Sequence, residues 1–94
     1  MKRKYIVDDS KVIKKIDRLP KEIILKFYSW AKAIEIEGVP KVRKRPGYHD
    51  KPLRGKRQGQ RSVRLSLAYR IIYEEKDEKL LCIIEILGVN KHEY

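Results

Sequence analysis

The spacing of apolar residues changes period along this chain, and that change fixes what it can fold into. Ile23, Phe27, Trp30/Ala31 and Ile34 recur at helical intervals, the pattern that lines one side of an α-helix. From Arg61 onward the interval drops to two. In Arg61-Ser62-Val63-Arg64-Leu65-Ser66, Val63 and Leu65 fall on one face of a strand and Arg64 on the other. A helical period followed by a strand period predicts helices segregated from a sheet, not alternating β-α units. At 94 residues, near the usual size of one domain, the chain is expected to form a single unit over 1–94.

The remaining elements follow from local signals. Lys4-Tyr5-Ile6-Val7 is short, β-prone and closed by Asp8-Asp9, so it reads as a first strand. Ser10 is placed to cap a helix from Lys11 to about Arg18, with Val12, Ile13 and Ile16 on one face. Pro20 suits the first position of a second helix, where its missing N–H costs nothing. That helix runs to about Glu37 and stops at Gly38, with Pro40 just beyond. From Val39 to Gln58 periodicity disappears, and Pro40, Pro46, Pro52, Gly47, Gly55 and many bases predict a long exposed loop. Tyr69–Tyr73 is the next strand and Glu74 to Lys79 a polar turn. Leu80 to Leu87 is a last strand, apolar on both faces and therefore central, ended by Gly88. The expected fold is α+β: an N-terminal strand and a helical hairpin packed on one face of an antiparallel sheet, in the order β-α-α-β-β-β. Phe27, Tyr28 and Trp30 are expected to pack against the sheet, and Cys82 to be a small buried hydrophobe.

Charge is where function first shows. The formal net charge is +11. The stretch from Lys41 to Arg70 holds eleven of the 24 bases but one acid, Asp50, of the 13, a net +10 that leaves +1 for the other sixty-four residues. Such concentration suits a polyanion, since each phosphate neutralised releases condensed counterions. The single cysteine cannot form an internal disulfide, and no Cys/His set has zinc spacing. No stretch approaches the ~18 apolar residues of a membrane span, and no N-terminal segment resembles a signal peptide. A cytoplasmic protein without metal, cofactor or membrane contact is expected.

Three motifs in the C-terminal half resemble the RelE/YoeB/HigB branch of the RelE/ParE superfamily of toxin–antitoxin toxins. They are the loop Pro52-Leu53-Arg54-Gly55-Lys56-Arg57-Gln58-Gly59, the strand Arg61-Ser62-Val63-Arg64-Leu65, and the strand Tyr69-Arg70-Ile71-Ile72-Tyr73. A closing His92-Glu93-Tyr94 completes the pattern. The resemblance implies metal-independent cleavage of messenger RNA in the ribosomal 30S decoding site. There the 2′-hydroxyl of the message attacks the adjacent phosphate, leaving a cyclic phosphate and a free 5′-hydroxyl. That chemistry needs a group to take the 2′ proton, a group to hold the pentacoordinate phosphate and a group to protonate the leaving oxygen.

The matching positions supply candidates for each role. Arg64 and Arg70 match the strand arginines that the family uses on the phosphate, a task suited to a guanidinium with two N–H groups to offer. Lys56 stands where the YoeB branch carries a glutamate base and the RelE branch uses lysines; crowding by Arg54, Arg57 and Arg61 would lower its hold on a proton. His92 is the expected acid, and Tyr94 would stack on a base or orient the phosphate. Glu93 separates these two, which are adjacent in the closest branch. His49, Lys51, Arg54, Arg57 and Arg61 are the expected further RNA contacts. A cognate protein antitoxin is the expected partner. The rival readings are a ParE-like gyrase poison on the same fold, a non-catalytic nucleic-acid-binding module, and a basic ribosome-associated structural protein that binds ribosomes without cleaving message.

Overall fold

The computed structural model describes residues 3–91. In chain order it contains β1 (Lys4–Asp8), α1 (Ile13–Asp17), α2 (Lys21–Glu37), α3 (Val39–Arg43), β2 (Lys51–Pro52), β3 (Gln60–Arg64), β4 (Tyr69–Glu78) and β5 (Leu81–Lys91). The strands make one five-stranded sheet in the order β1-β5-β4-β3-β2. β1 runs parallel to β5 and the other pairings are antiparallel. The sheet is therefore mixed but mostly antiparallel, with its helices on one face, and the α+β expectation holds. β5 lies between β1 and β4, which is why its sequence is apolar on both faces.

The long helix follows its pattern. Ile23, Phe27, Trp30, Ala31 and Ile34 are all buried, packed with Val63, Ile71, Tyr73, Ile84 and Ile86 of the sheet and with Leu65 just past β3. Pro20 is the N-cap of α2 rather than its first residue. Gly38 ends α2 with φ +87°, and a Cβ there would lie 2.9 Å from the Tyr5 ring, so conformation and space both demand glycine. Phe27 and Trp30 are core residues as expected, whereas Tyr28 is exposed and its hydroxyl donates to Asp9 Oδ2 at 3.4 Å.

Elsewhere tertiary contacts override the local signals. Helix α1 begins at Ile13 with Val12 as its N-cap, two residues past Ser10, whose N–H and hydroxyl Oγ both donate to Asp8 Oδ1, at 3.0 and 2.7 Å, in a local turn. The bond from that hydroxyl holds the Asp8 carboxyl below its ordinary range. Ile13 is exposed while Val12 and Ile16 are buried. The stretch expected as a loop is largely structured: α3 buries Val39 and Val42, 3-10 turns occupy Pro46–Tyr48 and Gly55–Arg57, and β2 joins the sheet. The expected turn over Glu74–Lys79 is mostly strand, since β4 runs to Glu78 and the chain reverses at Lys79 (φ +55°). Cys82 is buried. Among the described residues no helix is long and apolar enough to cross a membrane.

Candidate functional site

One face of the sheet is covered by helices, so the strand register decides what the other face presents. Val63 pairs with Ile71 and both enter the core. Their neighbours along the strands, Arg64 and Arg70, pair with each other and point the opposite way. Arg70 also pairs with Asn90 of β5, so Arg64, Arg70 and Asn90 form one row across three strands. The adjacent row is Lys51, Ser62, Ile72 and Gly88, of which Ser62 and Ile72 are buried and Lys51 is exposed. Lys51 is thus a diagonal neighbour of Arg64, about 7–8 Å away between backbones.

A bulge makes the β5 end of this surface. Tyr73 pairs with Ile86 but Ile72 pairs with Gly88, so β5 carries one extra residue. Ile86 and Val89 both reach the core as a result, and Gly88 and Asn90 both face outward. Gly88 thus lies inside β5 and does not end it; a lone glycine inside a strand pattern is also the signal of a bulge. Asn90, beyond the expected end of the strand, was missed for that reason. A Cβ on Gly88 would meet nothing closer than Asn90 Oδ1 at 3.9 Å, so the space above it is open. Gly88→Val is therefore expected to fold with an unchanged unfolding midpoint while weakening any ligand that lies over Gly88 and beside Arg70, as a binding titration would read.

Arg64 and Arg70 are half-buried, and among the described residues neither side chain makes a hydrogen bond or an ion pair. Like charges directly opposite in a sheet are destabilising, so the pair works against the fold. Tetrahedral oxyanions would relieve that repulsion, because each guanidinium can offer two parallel N–H groups.

The basic segment divides into bound and free cations. Asp50, whose side chain is 2% exposed, accepts Arg61 Nε and the Tyr73 hydroxyl, each at 2.6 Å. Arg61 shares the helix-side face with Tyr73, its register partner, so its guanidinium is engaged away from the open face. Its role as an RNA contact is not favoured by this placement. Burial, then the bond to Asp50, raises the Tyr73 phenol well above its ordinary value. Burial alone would weaken the proton affinity of Arg43, and its bonds to Tyr73 and Glu75 more than reverse this.

The remaining candidates are spread along the segment. His49 is exposed and left-handed (φ 45°). Arg54, Lys56 and Arg57 are exposed at the tip of the β2–β3 connection. Leu53 N–H bonds Gln60 C=O at 2.9 Å, which puts that tip at the Gln60 end of β3. Lys56 is separated from Arg64 by the length of that strand, about 14 Å. The structure brings Arg64, Arg70 and Lys51 together and leaves Lys56 with Arg54 and Arg57. His92 and Tyr94 lie outside the described residues. Among the described residues no three His, Cys, Asp or Glu side chains are grouped to hold a metal ion.

This sheet order, with the helices on one face, defines a class: the fold is that of RelE/YoeB/ParE-type toxins. YafQ from E. coli strain BL21(DE3) superposes with a TM-score of 0.66 over 96% of this chain and 93% of its own, at 19% identity. A chain of the archaeal RelE–RelB complex from Pyrococcus horikoshii OT3 matches with a TM-score of 0.65 over 97% and 96%, at 24% identity. The YoeB/ParE toxin from Agrobacterium tumefaciens gives 0.62 over 96% and 99%, at 15% identity. At such identities the likeness establishes the fold. No known protein family and no curated protein matches the sequence.

Proposed function

We propose that this chain is the toxin of a type II toxin–antitoxin pair and a ribosome-dependent endoribonuclease that cuts messenger RNA by 2′-hydroxyl attack on the phosphate. The observation that carries this reading is the cross-strand pair Arg64–Arg70, opposed on the open face with no carboxylate partner among the described residues. A fold with no use for that pair gains by replacing either arginine. A phosphate that gains charge in the transition state gives both a function.

In this reading Arg64 and Arg70 hold the non-bridging oxygens of the scissile phosphate. Lys51, on the adjacent row, binds the neighbouring phosphate. Arg54, Lys56 and Arg57 take phosphates of a strand laid along β3 toward the loop tip, and His49 adds an exposed contact. For Lys56 to accept the 2′ proton, which lies beside the scissile phosphate, its side chain and that of Arg64 must reach toward one another across the roughly 14 Å of β3 between them. His92 donates to the leaving oxygen and Tyr94 stacks on a base. Removing residues 92–94 is then expected to abolish cleavage while ribosome co-sedimentation changes little.

The partner is a cognate protein antitoxin, and relatives of the same fold are known in complexes named RelE–RelB and YoeB–YefM. The test is induction of the chain in a bacterial host with primer extension on a reporter message. Translation-dependent cuts inside the reading frame support the proposal. Growth arrest with intact message and damaged DNA would place the chain with the gyrase poisons instead. Binding without arrest would leave a nucleic-acid-binding module.

A further inference from the structure

The basic segment contains one acid, and the structure buries it. Asp50 Oδ1 accepts Arg61 Nε and Oδ2 accepts the Tyr73 hydroxyl, both at 2.6 Å. Arg43 Nε stands 3.8 Å from Oδ1 and, buried, has no hydrogen-bond partner of its own. The same Arg43 reaches Glu75 at 2.9 Å. One carboxylate thus gathers α3, β3 and β4 at a single point.

Two features need explaining. A carboxylate amid bases lowers the attraction of the segment for phosphate, and burying a charge is costly unless it is paired and hydrogen-bonded. Its position in the chain accounts for both. Asp50 lies between exposed, left-handed His49 and Lys51, and the ladder sets Lys51 opposite Ser62, one open-face row from Arg64. β2 is only two residues long, too short for its ladder alone to hold the segment. The buried carboxylate supplies the missing anchor.

We propose that Asp50 is a positioning residue: by taking Arg61 and Tyr73 from the sheet, it seats the segment so that Lys51 and His49 meet the message already aligned with Arg64 and Arg70. The inference rests on the reading of the open face as the RNA-binding surface. Arg43 and Arg61 become internal counterions, Arg45 pairs with Glu37, and the substrate meets the remaining bases.

The test uses the full chain as Asp50→Asn and Tyr73→Phe, the second keeping the buried ring. Three readouts are taken: hydrogen exchange at the Leu53 amide, steady-state cleavage of message on ribosomes, and binding of oligouridylate. Leu53 exchange is expected to quicken by about tenfold or more, and kcat to fall about 10- to 100-fold with a smaller change in KM, in protein that still unfolds cooperatively. Unchanged exchange and unchanged kcat in both variants would overturn the proposal. So would losses that track global stability and recover on cooling, since those mark a fold defect alone. If wild-type protein binds oligouridylate but cuts no message, the proposed reaction fails separately. The brace is then judged by exchange and binding, with faster exchange and weaker binding expected in both variants and no change in either overturning it.

Discussion

Arg64→Glu is expected to make the chain more stable and to abolish message cleavage. In the wild type, Arg64 faces Arg70 across the β3–β4 ladder, and among the described residues no acid separates them. A glutamate at position 64 turns that repulsion into a cross-strand ion pair, worth about 0.2–1 kcal/mol. The same change places a carboxylate where the proposed reaction builds negative charge. Loss of one donor to such a charge lowers kcat by roughly 10²–10³, and reversing its sign costs at least as much. Arg70→Ala, which removes the repulsion but adds no acid, should lose about 2–4 kcal/mol of transition-state stabilisation with its fold intact. Urea unfolding and primer extension on a reporter message check both variants. Opposite signs for stability and activity are the signature of a functional pair; full activity in either variant would remove the site. Ordinary solvated arginines would show the small stability gain and no loss of activity.

How far the sequence revealed this arrangement depended on whether a feature was held by neighbours along the chain or by distant partners. Helix α2 was legible residue by residue because its 17 positions repeat one pattern against one surface. Arg64 was legible because strict alternation with Val63 and Leu65 leaves it only the outward face. Helix α3 was not. Its five residues lie between Gly38 and a basic run and contain Pro40, and its reason to exist is the burial of Val39 and Val42 in a core assembled by other elements. The parallel register of β1 on β5 brings together residues 77 positions apart, and no local pattern encodes it. Arg61 shows the limit within the site. Alternation puts it with Val63, but only the position of Asp50 explains what a guanidinium does on that side. Asp50 itself read as an exception in a basic run, and its three partners come from separate elements.

Trp30→Ala is expected to be the most damaging single change in the core. Trp30 is 1% exposed, with its ring 6.2 Å from that of Phe27 and 5.5 Å from that of Tyr73, centroid to centroid. Truncating a buried tryptophan costs about 3–5 kcal/mol, while a domain of this length is stable by roughly 5–14 kcal/mol. The melting temperature should fall on the order of 20 °C, read by circular dichroism. Trp30→Phe, which keeps a ring against Tyr73, should lose less than half as much. The consequence reaches the open face through that contact. Tyr73 holds Asp50 with its hydroxyl on the helix side, so a cavity beneath its ring loosens the anchor of the basic segment as well as the core. Trp30→Ala should therefore show Leu53 exchange accelerated even at temperatures where the chain remains folded, whereas Ile23→Ala, one of the buried residues of α2 outside these ring contacts, should lower the melting temperature without that local effect. Equal Leu53 exchange in the two variants at matched stability would show that the core and the proposed RNA-binding face are not coupled through Tyr73.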